Sequence, residues 1–163
     1  MKRRAFLARF LASIAALPLA GCGFQLRGSH AVPYRSIYLD APRGNEAARK
    51  LAQALKSQGV VVTDSIKDAE VRLRLSPETR TRTILSLSGG GRVREYQLQY
   101  SLSYSLSYAD GREIYPETTI KSSRDFTYDD NLYLAKTAEE EFLYRDLQES
   151  AAQQILRRLA AQR

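Results

Sequence analysis

The sequence predicts an α+β fold, a two-layer sandwich in which a mixed four-stranded sheet packs against two helices. One observation is a long segment in which every second residue is large and apolar, which is typical of a strand with one buried face. The other is a pair of segments with apolar residues at helical spacing. A one-sided sheet needs a covering layer, and two amphipathic helices supply it.

The first strand is predicted at Ser36–Asp40, and a helix follows it. Ala48, Leu51 and Leu55 recur at helical spacing, with Asn45 as the predicted N-cap. A short extended piece comes next, and the strand–helix–strand order implies a right-handed crossover.

The middle of the chain is predicted to form two long strands, at residues 71–87 and 95–108, joined by a turn of three glycines. Four arginines share one parity in the first of these strands, opposite to its leucines: Arg72, Arg74, Arg80 and Arg82. Val93 is out of phase with the second strand, so a bulge or an irregular turn is expected near Arg92.

A hairpin is predicted at Asp110–Gly111. A three-residue loop pairs Tyr108 with Ile114 and Leu102 with Ile120. A two-residue loop turns two glutamates onto the apolar face. We prefer the longer loop, because a slip of one residue moves every side chain to the other face.

The returning strand, residues 114–126, contains Pro116, which suggests a sheet edge or a bulge. A final helix is predicted to begin at a capping box formed by Thr137 and Glu140. Its apolar stripe consists of Leu143, Leu147, Ala151, Ile155 and Leu159.

The N-terminus carries an export signal. Basic residues precede an apolar run from Phe10 to Ala20, which is too short to span a bilayer. Leu19-Ala20-Gly21-Cys22 resembles the lipobox of bacterial lipoproteins, in which the chain is cut before the cysteine and the cysteine is acylated. An ordinary secretion signal beside an unrelated thiol is the alternative. The route of export, general or twin-arginine, stays open.

These features divide the chain into a removed signal (1–21), a lipidated tether (22–34) and a single α/β domain (35–163). Four of the 25 Lys and Arg residues leave with the signal and none of the 18 acidic residues does, so the net charge falls from +7 to +3. That balance argues against a nucleic-acid binder.

Catalytic and metal chemistry are not predicted. The single histidine, His30, lies in the predicted tether, so no Ser/His/Asp arrangement can be assembled elsewhere. Acidic clusters at Asp129–Asp130 and Glu139–Glu141 fit helix starts and solvent-exposed charges better than a cation site. We therefore expect a protein that is not an enzyme and that uses no cofactor or metal.

Five segments resemble the LptE family of lipopolysaccharide-assembly lipoproteins, and they occur in the family's order along most of the mature chain. They are Gly21–Gly28, Glu95–Leu98, Gly111–Pro116, Leu134–Lys136 and Leu156–Leu159.

The resemblance implies an outer-membrane lipoprotein on the periplasmic side. Its partner would be the β-barrel LptD, which family members plug and help to assemble, and its ligand would be lipopolysaccharide. Hydrolysis by carboxylate pairs and a chaperone or pilot role in another outer-membrane assembly are the alternatives.

The family's lipopolysaccharide-binding cations lie near two of these segments, which makes Arg92, Arg94 and Lys136 the matching candidates here. Strand parity and charge add weaker candidates: Arg80, Arg82, Lys121 and Arg124. Guanidinium and ammonium groups are the donors that phosphates prefer.

Overall fold

The computed structural model describes residues 31–161. The predicted signal, Cys22 and most of the tether lie outside this range. Six strands and two α-helices make up the described part. Their bounds are β1 Ser36–Asp40, α1 Glu46–Ser57, β2 Val61–Thr63, β3 Val71–Leu75, β4 Thr79–Leu87, β5 Val93–Tyr108, β6 Glu113–Thr127 and α2 Tyr133–Ala160. Short 3₁₀ turns occupy Ile66–Asp68 and Asp130–Leu132.

The strands form one mixed sheet in which β5 is the central element. β1 pairs in parallel with both β2 and β3, and the remaining pairs are antiparallel. One edge of β5 carries β3 followed by β4, and the other edge carries β6. The α+β class is confirmed, whereas the prediction of four strands is wrong, because the sheet contains six.

One additional strand arises because residues 71–87 do not form a single strand. Leu75 pairs with Tyr104 and Thr79 pairs with Ser101, so this edge carries one residue more than β5 does over the same stretch. Ser76 and Glu78 occupy the break. Pro77 lies between them and has no N–H to donate to a neighbouring strand. Glu78 accepts the Ala47 N–H at the start of α1 (2.8 Å), so the segment is bonded to the helix layer at this point. The other additional strand is the extended piece at Val61–Thr63, which pairs with β1.

The extra residue reverses the faces of the arginines. Arg72 and Arg74 pair with serines of β5 on the face away from the helices, whereas Arg82 pairs with buried Leu98 on the helix-covered face. Asp40 binds both arginines of β3, and the hydrogen bond from Arg72 holds the pKa of that carboxyl below its usual range.

The β5–β6 register agrees with the prediction in the middle of the hairpin and departs from it at the turn. Leu102 pairs with Ile120 as expected, but the Tyr108 N–H donates to the Arg112 carbonyl, so the predicted pairing of Tyr108 with Ile114 is wrong. Two register shifts around Pro116 reconcile the two ends, and β6 is the edge strand next to β5, as the proline suggested.

The core lies between one face of the sheet and the two helices. Alternate residues of β5 are buried against the predicted stripe of α2, from Leu147 to Leu159. Helix α1 is capped as predicted, with the Asn45 side chain accepting the Ala48 N–H. Helix α2 is not capped as predicted, because it begins at Tyr133, one turn earlier, and its N-terminus has no side-chain cap.

Candidate functional site

The face of the sheet away from the helices, here called the open face, is built from short polar side chains. Across β4, β5 and β6 it consists mainly of neutral residues, with charged ones among them that include Glu95, Lys121 and Asp125. The neutral residues include Thr79, Thr81, Thr83, Gln97, Gln99, Ser101, Ser103, Thr119 and Ser123.

Hydrogen bonds already link parts of this face. The Gln99 amide donates to Gln97 (2.9 Å), and Gln97 donates to Asp125 (3.2 Å). Lys121 lines a groove of about 430 Å³ on the same face. Lys121 lies opposite Ser101 and is the predicted cation that the open face carries. It forms no ion pair with any residue inside the described range. This face can therefore offer many hydrogen bonds and little net charge.

Arg92 and Arg94 form the arginine tip, at the outer end of the β4–β5 hairpin. Both side chains are exposed, and neither forms an ion pair with any residue between 31 and 161. The irregularity predicted near Arg92 is confirmed. Register shifts lie on both sides of Ser86, which pairs with Glu95, so Leu85 and Arg94 have no partner residue in the β4–β5 register. A groove of about 650 Å³ beside the tip is also lined by Glu95, Asp129 and Asp130.

The arginines of β4 and β6 are engaged by helix α2. Arg82 Nη1 lies 2.7 Å from the Glu140 carboxylate, Arg80 Nη1 lies 3.4 Å from Glu141, and Arg124 Nη2 lies 3.1 Å from Asp146. Exposed pairs of this kind contribute about 0–1 kcal/mol each. In this structure the three weaker candidates Arg80, Arg82 and Arg124 are therefore paired with carboxylates of α2, and each pair adds a small contact between the helix and the sheet.

Lys136 projects from the first turn of α2 and is largely covered. Its ammonium lies 2.9 Å from Glu139 and 5.4 Å from the centre of the Phe126 ring, and 17% of its side chain is exposed. Phe126 packs against Tyr128, whose N–H donates to the Arg94 carbonyl. Lys136 and the arginine tip therefore occupy the same end of the sheet.

The sequence interpretation missed the surface beneath the start of α2. Ile84, Tyr96 and Phe126 are cross-strand neighbours on the helix-covered face, and Arg82, Leu98 and Arg124 form the next row. Arg82 also lies over the Tyr96 ring, at 4.5 Å from its centre. This arrangement could not be read from the alternation of residues, because the break before Thr79 changes whether even-numbered or odd-numbered residues face the helices.

No group of His, Cys, Asp or Glu within residues 31–161 is arranged to hold a metal ion. In the same part of the chain, no helix has the length and apolar character needed to cross a bilayer.

Comparison with known proteins identifies the fold's relatives. The family model "LptE: Lipopolysaccharide-assembly" matches residues 34–159. The LPS-assembly lipoprotein LptE of Pectobacterium atrosepticum is 31% identical over 163 residues, which cover 98% of this chain and 86% of the relative. The protein of the same name from Yersinia pestis is 32% identical over 154 residues, covering 91% of this chain and 73% of the relative.

Solved structures agree. The solution NMR structure of an uncharacterized lipoprotein B from Nitrosomonas europaea superposes with a TM-score of 0.74 at 35% identity, covering 85% of this chain and 91% of that one. The crystal structure of the rare lipoprotein B from Shewanella oneidensis gives a TM-score of 0.69 at 29% identity, covering 77% and 94%. The chain therefore belongs to the LptE family of lipopolysaccharide-assembly proteins.

Proposed function

We propose that this protein is an outer-membrane lipoprotein that works with the β-barrel LptD on the periplasmic side of the membrane. It binds lipopolysaccharide, assists its insertion into the outer leaflet, and acts as plug and assembly factor of the barrel. The observation that carries the proposal is a division of surface chemistry: an open face rich in neutral hydrogen-bonding side chains and a separate tip with two arginines that form no ion pair within residues 31–161.

The open face suits contact with the polar lumen of a barrel. Serine, threonine and glutamine form hydrogen bonds without bringing buried charges, whose desolvation is costly. The sheet carries this chemistry along β5, where serines and glutamines alternate with the buried residues from Gln97 to Ser107. A plug with this surface can be surrounded by polar groups and form many hydrogen bonds while burying few charges.

The arginine tip suits the phosphates of lipopolysaccharide. Arg92 and Arg94 have no internal partner within the described residues, so binding a phosphate costs them no existing ion pair. A charge-assisted hydrogen bond contributes about 1.5–3 kcal/mol. Glu95, Asp129 and Asp130 line the same groove and would disfavour an anion placed deep in it, so the ligand is expected at the outer rim.

The chain enters the sheet at the end opposite to the arginine tip. Val32 is buried in the core, the Arg35 N–H donates to the Glu70 carboxylate, and the Ala109 N–H donates to the Glu70 carbonyl. Residues 94 and 108 of β5 are separated by about 45 Å at the rise of a strand. An anchor at Cys22 would therefore join the domain at the end of the sheet that carries the β5–β6 turn, opposite to the arginine tip.

Cys22→Ala is expected to abolish membrane attachment while the folded part of the chain stays intact, because the mutation removes the acylated sulfur and lies outside residues 31–161. Labelling with a fatty-acid analogue followed by membrane fractionation measures the effect. Equal labelling of the mutant and the parent would contradict the lipobox interpretation.

The partner is tested by affinity purification of the full chain, tagged at its C-terminus, from its native envelope. We expect LptD to co-purify at a ratio of roughly one plug for each closed barrel. Gln99→Arg places a large charge on the open face, where it should reduce recovery of the barrel. Gln153→Arg, at an exposed position of α2 on the helix side of the molecule, is the matched surface control. Stable recovery of a different envelope assembly would favour the chaperone or pilot alternative.

A further inference from the structure

The first three turns of helix α2, residues 133–143, are attached to the sheet mainly by charge. The buried residues of this helix begin at Tyr144, Leu143 is partly buried against the core, and Leu134 is 82% exposed. Tyr133 and Phe142 are also exposed. The first three turns, here called the cover, therefore bury little apolar surface of their own.

The start of the cover is also poorly stabilised as a helix. No side chain caps its N-terminus, and its first turn carries Lys136 and no acidic residue. A cation in the first turn is opposed by the helix dipole. The Thr137 hydroxyl donates to the Tyr133 carbonyl instead of serving as the predicted cap. Its contacts with the sheet include the Lys136 ammonium over the Phe126 ring and the ion pairs of Glu140 and Glu141 with the arginines of β4, and salt screens these ion pairs.

The surface beneath the cover combines apolar and cationic groups. Ile84, Tyr96 and Phe126 form an apolar row that runs from buried Phe126 to Ile84, which is 57% exposed at the outer end of the row. Arg80 and Arg82 lie beside this row on β4. In this structure the guanidinium groups form ion pairs with carboxylates of the cover. Phosphate oxygens form the same kind of hydrogen bond to arginine, so the phosphates of an anionic lipid can take the place of these carboxylates.

We propose that the cover is displaceable, and that the surface beneath it binds a phosphorylated, acylated lipid. The phosphates replace Glu140 and Glu141 on Arg82 and Arg80, and the acyl chains lie along the row of Ile84, Tyr96 and Phe126. This inference rests on the proposed binding of lipopolysaccharide, and it adds a second site beside the arginine tip.

Two substitutions that break the same ion pair test the proposal. Glu140→Gln removes the competitor and leaves the arginine free, so affinity for purified lipopolysaccharide should rise by about threefold. Arg82→Gln removes the phosphate donor, so affinity should fall by about tenfold. Both should increase amide hydrogen exchange over residues 133–143. In the parent, adding lipopolysaccharide should also increase exchange there.

The ion pair between Lys50 and Glu149 supplies the matched control, because it joins α1 to α2 away from the cover (2.7 Å). Lys50→Gln and Glu149→Gln change the net charge as the two test variants do, and each should leave affinity within about twofold. Changes in the same direction for Glu140→Gln and Arg82→Gln, or no change in either, would overturn the inference. Failure of the parent to bind lipopolysaccharide at all would instead overturn the proposed function and this inference with it.

Discussion

Leu102→Asp is expected to unfold the protein. Leu102 lies in the middle of β5, is 1% exposed and pairs with buried Ile120. Loss of a buried leucine costs about 2–5 kcal/mol, and burying an unpaired carboxylate adds to that cost. Because a domain of this size is stable by only about 5–15 kcal/mol, most of its stability is removed. Thermal unfolding followed by circular dichroism measures the loss.

Ser101→Asp is the matched control, one residue away on the open face. Its new carboxylate would lie opposite Lys121 in the register and stay in contact with water. Its melting temperature should remain within a few degrees of the parent's, since surface substitutions usually change stability by about 0.5 kcal/mol or less. Equal destabilisation by the two variants would show that the assigned faces of β5 are wrong.

Replacing both Arg92 and Arg94 by glutamate is expected to weaken lipopolysaccharide binding at least about 100-fold, because two contacts of about 1.5 kcal/mol each are lost. Repulsion at the same positions adds to this loss. The fold should persist, since both side chains are exposed and outside the core. Affinity of the purified, lipid-free chain is the measurement, and binding by the parent should weaken as salt is raised.

Arg145→Glu combined with Arg157→Glu is the control for this charge reversal. Both residues are exposed on α2, so the change in net charge is the same and the location differs. Arg158 is unsuitable as a control, because its guanidinium donates to the Tyr104 hydroxyl (2.9 Å). If the tip variant binds like the parent while remaining folded, Arg92 and Arg94 are not the binding site.

Periodicity was sufficient to predict the α+β class, β5 and the buried stripe of α2, because side-chain burial in these elements repeats along the chain. Periodicity did not predict the junction between β3 and β4. The arginines keep the same parity on both sides of Ser76–Glu78 in the sequence, yet one extra residue there transfers Arg80 and Arg82 to the other face. The contacts that hold the break come from Ala47 and Gln148, which are distant in sequence.

Which cations are candidates could be proposed from the sequence, whereas their grouping in the fold could not. The seven predicted cations fall into three arrangements: the arginine tip, Lys121 on the open face, and four side chains paired with acids of α2. Residue type indicates which groups can bind phosphate. Whether a guanidinium is unpaired depends on the path of α2, which begins a turn before the expected capping box.

The central position of β5 also sets an order for folding. Its partners β4 and β6 are joined to it by short turns, whereas β1 reaches β3 only after a helix and a further strand. Closing a short loop costs less conformational entropy than closing a long one, so local pairings tend to form first. The two hairpins are therefore expected to be protected from exchange early in refolding, before the parallel strands join. After export, the chain would then form the β4–β5–β6 meander before the parallel strands β1 and β2 pair.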